Sequence, residues 1–176
     1  MKSKFNIKKL IFASMFLCIG FVLPLFTSGI KEIGDSLLPM HIPVMLCGLV
    51  CGSKYGLLAG AVLPILRSLA FSMPPIYPNA VWMAVELATY GFVIGLLYRK
   101  NIKSVYISLI TAMIAGRITW GITKAILLNV SGKSFTIPMF IIGGFIDAIP
   151  GIILQFILIP SIMAILIKKD KGVSAC

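Results

Sequence analysis

Apolar residues run along this chain in long unbroken blocks separated by short polar clusters, with no sustained alternation of period two. The blocks predict helices over about 10–26, 37–52, 56–71, 80–97, 105–128 and 137–167. Crossing a bilayer takes about 20 apolar residues. The second block is short for that, with its core from His41 to Gly52. It is expected to be tilted, lengthened by Leu37 and Leu38, or partly re-entrant. Between the blocks, Gly52-Ser53-Lys54-Tyr55-Gly56 reads as a tight turn. Residues 72–79 read as a stiff loop, because Pro74, Pro75 and Pro78 fix φ and remove donors. Arg99-Lys100-Asn101-Ile102-Lys103 forms a basic loop and 129–134 a polar one. The last block is long enough that Pro150 and Pro160 should kink or divide it. The expected fold is an all-α integral membrane protein. It is a single transmembrane domain over 1–176, a bundle of about six helices with no soluble domain.

Composition narrows what such a bundle can do. Of 176 residues, 59% are hydrophobic and only 12% charged, against about a quarter charged in soluble domains. No room remains for a nucleotide-binding domain, and no glycine-rich loop ends in Gly-Lys-Ser/Thr. The chain therefore does not hydrolyse ATP by itself. The net charge of +11 would suggest nucleic acid in a soluble protein. Here it reads as topology, because most of it sits at helix ends and no nucleic acid is expected as a partner. With both termini cytoplasmic, the inner segments hold eleven Lys and Arg and the outer loops only Lys31 and Lys133, as the positive-inside rule requires. That orientation implies an even number of helices in the cell membrane. Lys2, Lys4, Lys8 and Lys9 before an apolar run mimic a signal peptide. The run is long for a cleaved segment and no Ala-x-Ala site follows, so it reads as an uncleaved first helix. Cys47 and Cys51 are four apart, unlike a redox Cys-x-x-Cys. With Cys18 and Cys176 they read as small inert residues.

The charges inside the blocks carry the functional signal. An ionisable group at a helix centre costs about 2.5–3.5 kcal/mol on insertion scales. Arg67, Glu86, Arg117, Lys124 and Asp147 all fall in or near the spans. With the expected orientation, they and His41 converge on the outer half of the bundle. Arg117 and Lys124 are seven apart and share a face with Trp120. Asn79, Trp82 and Glu86 do the same on the fourth helix. Facing stripes of this kind describe a small-molecule pocket, with flat surfaces for a ring and charges to orient it. Alternatively, the tryptophans are interfacial belt residues, and the charges pair internally as Arg67 with Glu86 and Arg117 or Lys124 with Asp147. Three cations face two anions, however. The spare positive charge points to a ligand with a carboxylate or phosphate, unless Lys124 snorkels to the surface. No Ser/His/Asp set and no metal-ligand spacing is present, so neither an enzyme nor a cofactor or metal is expected.

Pro39-Met40-His41-Ile42-Pro43-Val44-Met45-Leu46-Cys47-Gly48, followed by Gly52-Ser53-Lys54-Tyr55-Gly56-Leu57-Leu58-Ala59-Gly60, resembles the second and third helices of the substrate-binding S components of energy-coupling factor (ECF) vitamin transporters. The resemblance extends over most of the chain. It implies a subunit that binds a vitamin or similar micronutrient from outside, closes its first loop over it, and joins a transmembrane coupling subunit and two ATPases that drive uptake. In that family a pair of alanines on the first helix packs on the coupling subunit. Counted back from Pro24, the corresponding positions are Ser14 and Cys18, both small though neither is alanine.

Two rival classes remain at this stage. One is a self-sufficient secondary transporter using Glu86 and Asp147 for ion coupling, which lacks the inverted repeats expected of it. The other is a small lipid-modifying enzyme, which lacks a catalytic constellation. The substrate stays open. A carboxylated vitamin such as pantothenate or a folate suits the spare charge, and a nucleoside-like benzimidazole riboside of cobamide salvage suits the tryptophans. Residues 27–39, with Gly29 and Gly34 beside Lys31, Glu32 and Asp35, are expected to form a mobile gate over the site.

Overall fold

The computed structural model describes residues 7–27, 39–132 and 134–173. Every regular element among them is helical: α1 (Ile7–Thr27), α2 (His41–Cys51), α3 (Ser53–Phe71), α4 (Val81–Leu97), α5 (Ile102–Val130), α6 (Ile137–Ile141) and α7 (Ile149–Val173). A π-type turn interrupted at Tyr77, whose backbone is extended (φ −118°, ψ 133°), leads into α4 at Ile76–Ala80, and an unbroken one at Ile142–Ile146 leads out of α6. Five stretches are long and apolar enough to cross a membrane: Ile7–Leu25, Ser53–Phe71, Ile76–Leu97, Ile102–Val130 and Ile137–Lys168. The proposed gate over 27–39 falls almost wholly outside the described residues.

α2 has 11 residues. At about 1.5 Å per residue it rises roughly 16 Å, about half the thickness of the hydrocarbon core. Every residue of α2 except Val50 is buried. It is the central helix, packed against α1, α3, α4 and α7. A helix apolar on all sides is stable only when enclosed, and an enclosed helix need not match the bilayer thickness. α2 stops at Gly52, whose φ of 99° suits glycine, and α3 begins at the next residue. The turn expected over Gly52 to Gly56 is thus compressed to one residue.

The glycines after that turn make a three-helix contact. A Cβ on Gly56 or Gly91 would run into the other's backbone, and one on Gly60 would run into Leu87. A Cβ on Gly48 would lie 2.5 Å from the Gly91 carbonyl oxygen, and one on Gly95 2.5 Å from the Ser53 nitrogen. α2, α3 and α4 therefore meet backbone to backbone, as small residues allow in a membrane.

α5 shows how a helix of the bundle divides its faces. Asn101 caps its start, its side-chain oxygen accepting the Ser104 N–H at 2.7 Å. Ile107, Ile110, Ile114, Ile118, Ile122 and Ile126 form an exposed stripe at spacings of three and four, while Ser104, Ser108, Ala112, Arg117 and Trp120 are buried. Isoleucine lines the outer face, and the inner face combines these residues with the core residues Val105, Leu109 and Met113. The last apolar block is divided, but at Ile142–Ile146, before Pro150, while Pro160 lies inside the continuous α7. The Asp147 N–H reaches back to the Ile142 carbonyl at 3.0 Å. Pro150 follows in the first turn of α7, where its missing N–H costs little.

Candidate functional site

Glu86 lies one turn into α4, with its side chain turned to α5 and the start of α2. Its Oε1 accepts a hydrogen bond from Arg117 Nη1 at 3.0 Å and one from the Tyr90 hydroxyl at 3.2 Å. His41 Nε2 stands 3.7 Å from the same oxygen, too far for a hydrogen bond, and neither ring nitrogen of His41 has a partner. His41 and Glu86 are each 2% exposed and Arg117 5%. Gly116 makes this geometry possible. A Cβ there would lie 2.7 Å from the Tyr90 ring, so glycine lets the phenol settle against α5 with its hydroxyl at Glu86. Tyr90 also packs edge-on to His41, centroids 5.2 Å apart. The arrangement is a dry ion pair with its charges balanced.

Two turns further along α5 the environment changes from paired charge to aromatic rings. Lys124 Nζ lies 4.5 Å from the Trp120 ring centroid, 5.3 Å from Trp82 and 5.8 Å from Phe135. An ammonium over ring faces is held by their quadrupoles, and no carboxylate among the described residues pairs with it within 4.0 Å. Trp120, at 6% exposure, is enclosed rather than part of an interfacial belt. Phe135 meets it edge-on at 6.3 Å and Phe140 at a tilt at 6.1 Å. The π-turn before α4 is tied to the end of α5 by the Tyr77 hydroxyl, 3.2 Å from Ser131 Oγ. This brings Trp82, two residues past that turn, over Lys124.

The expected internal pairings form differently. Arg67 is buried but faces α1 rather than Glu86. Its Nη1 donates to the Phe21 carbonyl at 3.0 Å, its guanidinium lies 5.5 Å over the Phe71 ring, and its Nε has no partner. Glu86 is taken by Arg117, because α4 and α5 pack directly and Gly116 brings them close at that level. Asp147 follows the second π-turn with its side chain exposed, and pairs with neither Arg117 nor Lys124 within 4.0 Å. Asn79 is half-buried in the first π-turn. The nine candidates thus separate into a buried cluster (His41, Glu86, Arg117), an aromatic box (Trp82, Trp120, Lys124), and Arg67, Asn79 and Asp147 outside both.

Sequence reasoning passed over Tyr90, Gly116, Phe135 and Phe140. Tyr90 had a local signal, four residues after Glu86 on one helix face. Phe135 and Phe140 had none, because only the chain reversal after α5 brings them to Trp120. Ser14 and Cys18 are both exposed on the outer side of α1, and Ser14 Oγ bonds back to the Leu10 carbonyl at 3.0 Å. An apolar groove between α3 and α4, lined by Leu57, Ala61, Ile65, Ala84, Ala88 and Phe92, carries no charge and is separate from both clusters. No three His, Cys, Asp or Glu side chains come together among the described residues.

Comparison with curated proteins and with solved structures gave no significant match. The family model described as "ECF transporter, substrate-specific component" matches residues 8–167, which takes in all seven helices and both clusters. The chain therefore belongs to the substrate-specific components of ECF transporters, multi-pass subunits of the cell membrane that bind a small substrate and are not enzymes.

Proposed function

We propose that the aromatic box around Lys124 is the substrate site, and that it takes a flat micronutrient carrying an acidic group, presented from outside for ATP-driven uptake by a coupling subunit and two ATPases. The observation that carries this reading is the contrast between two cations on one face of α5. Arg117 is neutralised by Glu86 at 3.0 Å, whereas Lys124 is set among three rings with no carboxylate of the described residues within 4.0 Å. Trp82, part-exposed, offers a surface for a ring with the enclosed Trp120 behind Lys124, and Nζ offers a charge-assisted hydrogen bond to a carboxylate or phosphate. A folate meets both requirements. Pantothenate meets the second and a benzimidazole riboside the first. Asn79 stands three residues before Trp82, Asp147 directly follows the π-turn whose glycines meet Trp120, and the buried His41–Glu86–Arg117 cluster lies two turns back along α5. Glu86, already holding two donors, is poorly placed to carry protons for a secondary transporter.

The test has two parts. Purified protein is screened by thermal shift against a vitamin panel containing these three compounds. Lys124→Met is then titrated with whichever stabilises the wild type. Loss of a charge-assisted hydrogen bond should weaken binding about 10- to 100-fold while the apolar stem of methionine preserves packing. Equal affinity in the variant would remove Lys124 from the site. Uptake in liposomes, with and without the coupling subunit and ATPases, checks the energetic assignment.

A further inference from the structure

Trp120 rests its benzo edge on two consecutive glycines of the second π-turn. A Cβ on Gly143 would lie 3.4 Å from Trp120 Cη2 and 4.0 Å from Lys124 Nζ, and one on Gly144 3.3 Å from Trp120 Cζ3. At Gly143 an alanine side chain would stand at the edge of ordinary van der Waals contact, whereas at Gly144 the indole would have to give by a few tenths of an ångström. Neither glycine has a positive φ, unlike Gly52 and Gly132. Glycine is unfavourable in helical segments relative to alanine. Gly144 is buried and packed closely by Trp120, whereas Gly143 has neither a positive φ nor a contact closer than 3.4 Å to call for glycine. Gly121 differs, because its Cβ would strike the Phe140 ring and its role is packing.

We propose that Gly143 is a specificity-determining position. It keeps the edge of Trp120 and the approach to Lys124 Nζ free of side chains, so that a flat acidic ligand can lie along the indole with its acidic group at the ammonium. This rests on the box being the substrate site. Gly143 sets the clearance of the box, and a methyl group there would narrow it at the point where ring and charge are recognised together.

The chain has two tryptophans, and both stand over Lys124, so all tryptophan emission reports on the box. Full-length wild type, Gly143→Ala, Gly143→Val and a Ser161→Ala control on the exposed side of α7 are purified in detergent. Each is titrated with folate, pantothenate and dimethylbenzimidazole riboside by calorimetry. Quenching of tryptophan emission by iodide, an anion drawn to Lys124, is measured without ligand. Gly143→Ala should melt within about 3 °C of wild type. It should be quenched less by iodide and bind the accepted compound about 10-fold more weakly or worse, the scale of a misplaced methyl group. Gly143→Val should exaggerate both effects, and Ser161→Ala should show neither. Wild-type quenching and affinity in Gly143→Ala would overturn the proposal. Should valine prevent folding, alanine decides alone. A wild type that binds none of the three compounds would sink the substrate reading, while the clearance at Gly143 still stands or falls on iodide.

Discussion

Arg117 and Lys124 sit seven residues apart on one face of α5 and meet opposite surroundings. Burial of a charge is tolerated only with a partner, and Arg117 has one in Glu86. Removing one member of a buried pair costs about 3–5 kcal/mol, because the other is left uncompensated. From the sequence alone, Arg117→Ala would be expected to lose substrate while staying folded. With Glu86 at 3.0 Å, the expected outcome is a marked loss of thermal stability in detergent. The double variant Arg117→Met/Glu86→Gln should recover much of it, since no stranded charge remains. A single variant as stable as wild type would show that the pair contributes nothing to the fold.

At the scale of the helix, the glycine motif that carried the family resemblance has a structural meaning. Gly48, Gly56, Gly91 and Gly95 are where three helices touch backbone to backbone. Gly91→Val should therefore prevent assembly of the bundle, read as loss of folded protein after extraction; a monodisperse variant with normal melting would contradict the close contact. α1 poses the opposite case. Ser14 and Cys18 face outward, so Ser14→Leu/Cys18→Leu should leave the bundle and its ligand affinity intact. If α1 docks on the coupling subunit through a groove of small residues, complex formation and uptake should fall. Full transport by the double variant would move the docking face elsewhere.

For the molecule as a whole, charge decides orientation. Lys8, Lys9, Lys54, Arg99, Lys100, Lys103 and Lys168 gather at one end of the helices, and the aromatic box lies towards the other. The positive-inside rule predicts that the box opens outward, which the proposed capture of a substrate from outside requires. In a background with the native cysteines replaced, Asn129→Cys should react with a membrane-impermeant maleimide in intact cells and Lys103→Cys only after lysis. The reverse pattern would invert the topology.

Much of this was legible in one dimension. Six apolar blocks, their order and their approximate ends follow from the cost of exposing a backbone or a charge to hydrocarbon, a local property. So does the presence of ionisable groups that need an explanation. Which cation pairs with Glu86 was not legible, because Arg67 and Arg117 are alike until packing turns one to α1 and the other to α4. Nor was the short, enclosed α2, since enclosure depends on what its neighbours leave uncovered. The aromatic box was half visible: Trp120 and Lys124 share a helix face by periodicity, but Phe135 and Gly143 reach them only because the chain reverses after α5 and returns. Hydrophobic transfer is written residue by residue and can be read that way. Pairing, clearance and ring contact are distances between residues remote in the chain, and only the folded backbone sets them.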